Sequence, residues 1–170
     1  DAIKFIYDLR NNEYSKIAVG DKVAVIGMGM TAIDAATQAK RLGASEVHLI
    51  YRRTQDEMPC TEKELNIAKL DGCNIIWLAA PKEVLGDGEN VNQLVCDVMK
   101  LGEPDASGRR SPIATGETFT LDVDMVIKAA GQMPFSQLVN TENLQNSNGK
   151  IAVQGKSKAS LNNVFAGGDC

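Results

Sequence analysis

One segment, residues 22–53, constrains the fold of this chain more than any other. An apolar run at residues 23–26 ends at the Gly-Met-Gly of residues 27–29, a helical pattern rich in small residues follows, and a second apolar run ends at Arg52 and Arg53. A strand, a glycine turn, a helix and a second strand at this spacing are typical of a βαβ unit that binds a dinucleotide. The segment therefore predicts an α/β fold with a parallel sheet.

Glycine suits this turn because the missing side chain allows a tight turn and lets a ligand come close to the backbone. Gly27 permits the tight turn out of the strand, and Gly29 has no side chain, so a pyrophosphate can reach backbone N–H groups at the N-terminus of the next helix. The third small residue, Ala32, lets the helix and the strand pack closely. The pattern predicts a dinucleotide site here. The alternative is an ordinary strand-to-helix turn in a βαβ core that binds nothing.

The end of the second strand indicates which nucleotide would bind. Sites for NAD commonly place Asp or Glu there, where the carboxylate accepts a hydrogen bond from the ribose 2′-hydroxyl. This chain has Arg52 and Arg53 instead. A guanidinium donates two hydrogen bonds to a phosphate, so the pair favours NADPH over NADH. The alternative is a solvated basic strand end with no ligand.

Length, charge and cysteine usage narrow the class of protein. The chain has 170 residues and a formal net charge of −4, so it is long enough for a sizeable core, and nucleic acid is not an expected partner. No apolar stretch is long enough to cross a membrane. The four cysteines are scattered without a metal-binding spacing, which argues against a metal or iron–sulfur site in this segment and favours free thiols in a reducing cytoplasm: Cys60, Cys73, Cys96 and Cys170.

The rest of the chain predicts two sheets and three helices. Helices are expected at residues 1–11 and 30–42, and from Glu62 to about Asp71. Antiparallel strands between residues 82 and 121 are expected to replace the helix of an ordinary crossover, with a solvated loop at 102–112 that includes Arg109 and Arg110. The parallel strands are expected at residues 22–27, 47–52, 73–79 and 125–130, with Pro81 closing the third. The predicted class is a Rossmann-like parallel sheet flanked by helices, with an antiparallel crossover sheet.

Several stretches together resemble one family of flavoproteins. They are residues 27–34, 51–59, 101–110, 130–132 and 164–169, and they span nearly the whole chain. The chain resembles the NADPH-binding region of the glutamate synthase small (β) subunit, which belongs to the flavoproteins with two dinucleotide-binding domains. The flavin-bearing part of dihydropyrimidine dehydrogenase and the large subunit of ferredoxin–NADP transhydrogenase are similar.

This resemblance implies roles for particular residues. The loop with Gly27, Gly29, Met30 and Thr31 would hold the pyrophosphate of NADPH, and Arg52 and Arg53 would hold its 2′-phosphate. Residues 130–132, which are Ala130, Gly131 and Gln132, would lie near the nicotinamide, and Asp169 would hydrogen-bond FAD. Hydride transfer from nicotinamide to flavin needs no side-chain acid or base, so no catalytic residue is expected. The family usually has Gly and Asn where this chain has Met28 and Met30, so one side-chain hydrogen bond is lost.

The resemblance also implies an organisation. Residues 1–21 would form a lead-in helix and linker, residues 22–143 the NAD(P)H-binding domain, and residues 144–170 the start of a returning FAD-domain segment. The expected partners are FAD and iron–sulfur segments of the same polypeptide, together with a large catalytic subunit. The 170 residues are expected to bind NADPH weakly, to hold no FAD and to catalyse nothing by themselves.

Two other classes of function stay open. One is a single-domain NADP-dependent dehydrogenase, although the usual Tyr-x-x-x-Lys pair is missing, since the three tyrosines are followed four positions later by Asn11, Ala18 and Gln55. The other is a non-catalytic nucleotide-binding scaffold.

Overall fold

The computed structural model describes residues 1–131, 144–147 and 150–167. The chain divides into two compact units, residues 1–131 and 132–170. The helices are α1 Ala2–Asn11, α2 Met30–Arg41 and α3 Glu62–Leu70. The strands are β1 Lys22–Ile26, β2 Glu46–Tyr51, β3 Asn74–Trp77, β4 Ala79–Gly86, β5 Val91–Pro104, β6 Arg110–Asp122, β7 Met125–Lys128, β8 Asn146–Ser147 and β9 Lys150–Ile151.

The helices begin and end at the residues that the sequence pattern indicates. The Asp1 carboxylate accepts a hydrogen bond from Ile3 N at 2.9 Å and caps α1. At the start of α3, Thr61 N donates to the Glu64 carboxylate at 2.8 Å, which is half of the expected capping box. Gly43, at φ +111°, ends α2. The three helix predictions are therefore confirmed.

Four parallel strands form the central sheet in the order β3-β2-β1-β7. The strands β1 and β2 are in register from Lys22 opposite Glu46 to Ile26 opposite Ile50, and Ile26 also lies opposite Lys128 of β7. Parallel strands point the same way, so the loops that follow β1, β2 and β7 all leave from one edge. We call it the carboxyl edge.

Two layers cover the faces of this sheet. Val23, Val25, Val47 and Leu49 are buried together with the small-residue face of α2 and with α1 and α3. On the other face, residues of the sheet pack against the second, antiparallel sheet, whose order is β4-β5-β6: Ala24, Ile26 and Ile50 meet Leu94 and Cys96. Alternate residues of one strand therefore enter different cores. The predicted parallel sheet with an antiparallel crossover sheet is confirmed.

The structure corrects two boundaries in the antiparallel region. The third strand does not reach residue 79, because it ends at Trp77 and the chain changes sheets at Leu78, which has φ +53°. Pro81 lies inside β4 opposite Cys96, next to a shift in register, and β4 is an edge strand, where a missing N–H is tolerated. The loop predicted at 102–112 is also too long, since Pro104 pairs with Arg110.

The unit of residues 132–170 is described only in part. Strands β8 and β9 pair antiparallel, with Asn146 opposite Ile151. Lys158 bridges both Gln154 and Phe165. Gln132 and Asp169, which the resemblance assigns to the cofactor sites, lie outside the described residues. Within the described ranges, no helix is long and apolar enough to cross a membrane.

Candidate nucleotide-binding site

The loop that follows β1 contains two glycines that differ in backbone conformation and in surroundings. Gly27 has φ +135°, and a Cβ placed on it would lie 2.5 Å from the carbonyl oxygen of Ala129, so the fold itself requires glycine there. Gly29 has φ −81° and ψ 172°, which any residue adopts. A Cβ on Gly29 would meet no described atom within 4 Å. Packing therefore does not require glycine at position 29, whereas a ligand in close contact would.

The open space beside Gly29 lies at the N-terminus of α2. The Gly29 carbonyl accepts hydrogen bonds from Ala32 N at 2.9 Å and from Ile33 N at 3.1 Å, so it starts the helix. The positive end of the helix dipole would attract an anion that entered this space. This arrangement fits a pyrophosphate, as the sequence predicts.

The two methionines of the loop differ in environment. Met28 is 1% exposed and belongs to the core between the sheet and its helices, and its carbonyl accepts a hydrogen bond from Cys60 N at 3.2 Å. Met30, the first residue of α2, is 58% exposed. The loop is therefore anchored by Met28, while Met30 is the residue whose side chain can contact a ligand.

The loop that leaves β2 presents the two arginines at the same edge. Arg52 is exposed and Arg53 is half-buried. The Nε of Arg53 is shielded from solvent and has no hydrogen-bond partner among the described residues. An N–H that is closed to water is closed to a phosphate as well, so an anion would have to bind through the terminal nitrogens of Arg53. The neighbouring strands lie about 4.8 Å apart, which brings this loop beside the glycine turn.

A braced turn follows the arginines, and the sequence reasoning missed it. Thr54 N and Thr54 Oγ1 both donate to the Glu57 carboxylate, at 3.1 and 2.5 Å. The hydrogen bond from the Thr54 hydroxyl is the largest effect that lowers the pKa of Glu57, and it outweighs the opposing effect of burial; the charge of Arg110 lowers that pKa further. The signal was present, since Thr54 and Glu57 have the same Thr-x-x-Glu spacing as the box at α3.

The loop after β7 completes the carboxyl edge on the other side of β1. Ala129 N donates to Ile26 O at 2.9 Å, which keeps this loop against the glycine turn. Ala130 and Gly131 are both exposed, and Gly131 has φ +103°. The structure thus brings Ala130 and Gly131 to the same edge as Gly27.

Comparison with known proteins gives the family of this chain. The model of the family described as pyridine nucleotide-disulphide oxidoreductase matches residues 3–170. The chain belongs to this family. It is 39% identical over 169 residues to the NADP(+)-dependent formate dehydrogenase subunit beta of Moorella thermoacetica, a match that covers 98% of this chain and 24% of the relative.

Two further matches agree with the resemblance drawn from the motifs. The chain is 36% identical over 157 residues to the glutamate synthase (NADPH) small chain of Azospirillum brasilense, which covers 89% of this chain and 32% of that relative. Thioredoxin reductase of T. acidophilum superposes with a TM-score of 0.68 at 21% identity, over 87% of this chain and 43% of that one. The fold is that of flavoproteins with two dinucleotide-binding domains. The chain spans about a quarter to a third of the length of the two curated relatives.

The described cysteines do not form a thiol–disulfide centre. Cys60, Cys73 and Cys96 are free and buried. Burial raises the pKa of both Cys73 and Cys96 to about 11, so both thiols are protonated and weakly nucleophilic at neutral pH.

Proposed function

We propose that this chain is the NADPH-binding part of a flavin-dependent oxidoreductase that passes electrons from NADPH through FAD to iron–sulfur centres. The observation that carries the proposal is Gly29, where the backbone needs no glycine and open space lies against the start of α2. Both relatives described above have NADP(+) or NADPH in their names. When bound, the nicotinamide supplies a hydride, and the protein supplies binding and orientation.

The residues of the carboxyl edge divide the proposed ligand between them. The loop with Gly27, Gly29, Met30 and Thr31 would hold the pyrophosphate through backbone groups and the helix dipole. Arg52 and Arg53 would hold the 2′-phosphate, because a guanidinium at this edge can donate two hydrogen bonds to it. The loop with Ala130 and Gly131, together with Gln132, would face the nicotinamide end.

The proposal extends to the organisation of the longer relatives. We assign residues 1–21 to a lead-in, residues 22–143 to the NADPH-binding domain, and residues 144–170, including Asp169, to a segment that contacts FAD. The relatives are named as a subunit beta and a small chain and are three to four times as long as this chain. FAD and iron–sulfur segments and a large catalytic subunit are therefore the proposed partners, and the 170 residues are proposed not to turn over by themselves.

Calorimetric titration of the 170-residue chain with NADPH and, separately, with NADH tests this proposal. We expect a preference for NADPH that Arg52→Ala or Arg53→Ala reduces by about ten- to a hundredfold, the equivalent of one charge-assisted hydrogen bond of about 1.5–3 kcal/mol. Arg10→Ala, in the last turn of α1, removes the same charge elsewhere and should leave both affinities unchanged. Equal affinity for both nucleotides would contradict the assignment of the arginines, and no binding of either would contradict the proposed NADPH site.

A further inference from the structure

The segment between β2 and the next turn is closed at both ends around the two arginines. Tyr51 Oη donates to the Glu57 carbonyl at 2.6 Å, and the Tyr51 ring packs edge-on against Trp77 with ring centroids 6.1 Å apart. The carboxylate of Glu57 accepts two hydrogen bonds from Thr54. Arg52 and Arg53 therefore lie in a short loop whose first and last residues are tied together.

A second tether fixes the backbone of the half-buried arginine. Arg53 O accepts a hydrogen bond from Leu78 N at 3.2 Å, and Leu78 O accepts one from Met99 N at 2.7 Å. Leu78 is the residue with φ +53° at which the chain changes sheets. A left-handed leucine is costly, so the surrounding contacts must impose it. The position of Arg53 is thus set by the junction between the two sheets.

The bracing matters because long cationic side chains lose freedom on binding. A loop that already has its bound conformation leaves less ordering to be done when the ligand arrives, so affinity rises without any new contact. An acid in such a loop would repel a phosphate if its carboxylate pointed at the ligand. The Glu57 carboxylate is engaged instead by Thr54, and the charge of Arg110 acts on it as well. Its contacts suit an internal brace rather than a ligand contact.

We propose that Thr54 and Glu57 are positioning residues that set the preference for a 2′-phosphorylated nucleotide by holding Arg52 and Arg53 in their binding conformation. The inference rests on the proposed function. It makes the specificity of this site depend on two residues that do not contact the nucleotide. A carboxamide can replace the carboxylate as acceptor, because Gln also serves at the third position of a capping box.

Paired substitutions at Glu57 test the proposal through the ratio of the NADH to the NADPH dissociation constant. Glu57→Ala removes the acceptor and should lower the ratio by about tenfold, mainly by weakening NADPH. Glu57→Gln keeps the acceptor and should hold the ratio within about twofold of the wild-type value. If Gln and Ala lower the ratio equally, the carboxylate acts through its charge and the positioning role is wrong.

Glu64 provides the matched control, since it closes the other Thr-x-x-Glu box at the start of α3. Glu64→Ala should lower the midpoint of thermal unfolding about as much as Glu57→Ala does but leave the ratio unchanged. A Glu57→Ala chain that is folded by circular dichroism and keeps the wild-type ratio would overturn the inference while the proposed function stands. A wild-type chain without preference for NADPH would overturn both.

Discussion

The loops that follow β1 and β2 leave neighbouring strands at one edge of the sheet, yet they are built in opposite ways. The first contains Gly29, which leaves space free of described atoms against the start of α2. The second presents Arg52 and Arg53 on a turn that hydrogen bonds hold closed. In the proposed function, backbone groups bind the phosphates that all dinucleotides share. The 2′-phosphate, which distinguishes NADPH from NADH, would be bound by charges that the turn holds in position.

The largest expected effect is a loss of stability at Gly27, the glycine of the first loop that the fold itself requires. Gly27→Ala should lower the free energy of unfolding by roughly 2–4 kcal/mol, because the Cβ overlaps Ala129 O and the φ of +135° is strained. Denaturant unfolding measures it. Gly43→Ala is the control, since Gly43 has φ +111° but open space around it, and it should cost about 1 kcal/mol. Equal losses at the two positions would show that the contact with Ala129 is not decisive.

Gly29→Ala should have the opposite result: stability is kept and nucleotide binding is weakened. Its backbone angles suit alanine, so the free energy of unfolding should stay the same or rise by about 0.4–1 kcal/mol. The new Cβ would occupy the space proposed for the pyrophosphate, so the affinities for NADPH and NADH should both fall by about tenfold or more. Titration and thermal unfolding of the same sample measure the two effects. Unchanged affinity would mean that no ligand approaches Gly29.

A smaller effect on affinity is expected from a conservative substitution in the second loop. Arg53→Lys keeps the charge but loses the planar pair of donors, so NADPH should bind about fivefold more weakly, while NADH is unaffected. Titration with both nucleotides measures it. Full affinity in the lysine variant would indicate that Arg53 acts as a simple point charge.

The smallest expected effect concerns Met30, the exposed first residue of α2. The family resemblance places Asn there, and an amide side chain adds one hydrogen bond. Met30→Asn should therefore tighten both nucleotides by about two- to fivefold, with no change in their ratio. Weaker binding would show that the Met30 side chain itself contacts the ligand.

Local sequence signals were enough to predict one part of the fold but not another. The parallel sheet and the glycine turn were predictable, because strand, glycine and helix signals at residues 22–53 are local and agree with one another. The break at Leu78 was not, since a left-handed leucine has no sequence signal and is imposed by contacts with Arg53 and Met99. Pro81 was misleading for a related reason, because its place on an edge strand depends on the order of the whole sheet.

The candidate site also contains residues that the sequence could predict and one brace that it could not. Gly27, Gly29, Arg52 and Arg53 follow from their positions after predicted strands, and the register of β1 and β2 brings them to one edge. The brace at Glu57 escaped prediction, because a Thr-x-x-Glu spacing in a loop of three helical residues looks like ordinary turn chemistry. Its meaning comes from the hydrogen bond between Tyr51 and the Glu57 carbonyl, which the sequence does not show.

The most direct test of the central claim compares two variants with two nucleotides. NADPH and NADH are titrated into the wild-type chain, Gly29→Ala and Arg53→Ala. We predict that Gly29→Ala weakens both nucleotides by the same factor and keeps their ratio, while Arg53→Ala weakens only NADPH and lowers the ratio by about ten- to a hundredfold. If Arg53→Ala preserves the ratio, or if Gly29→Ala changes it, the two loops do not divide the nucleotide as proposed.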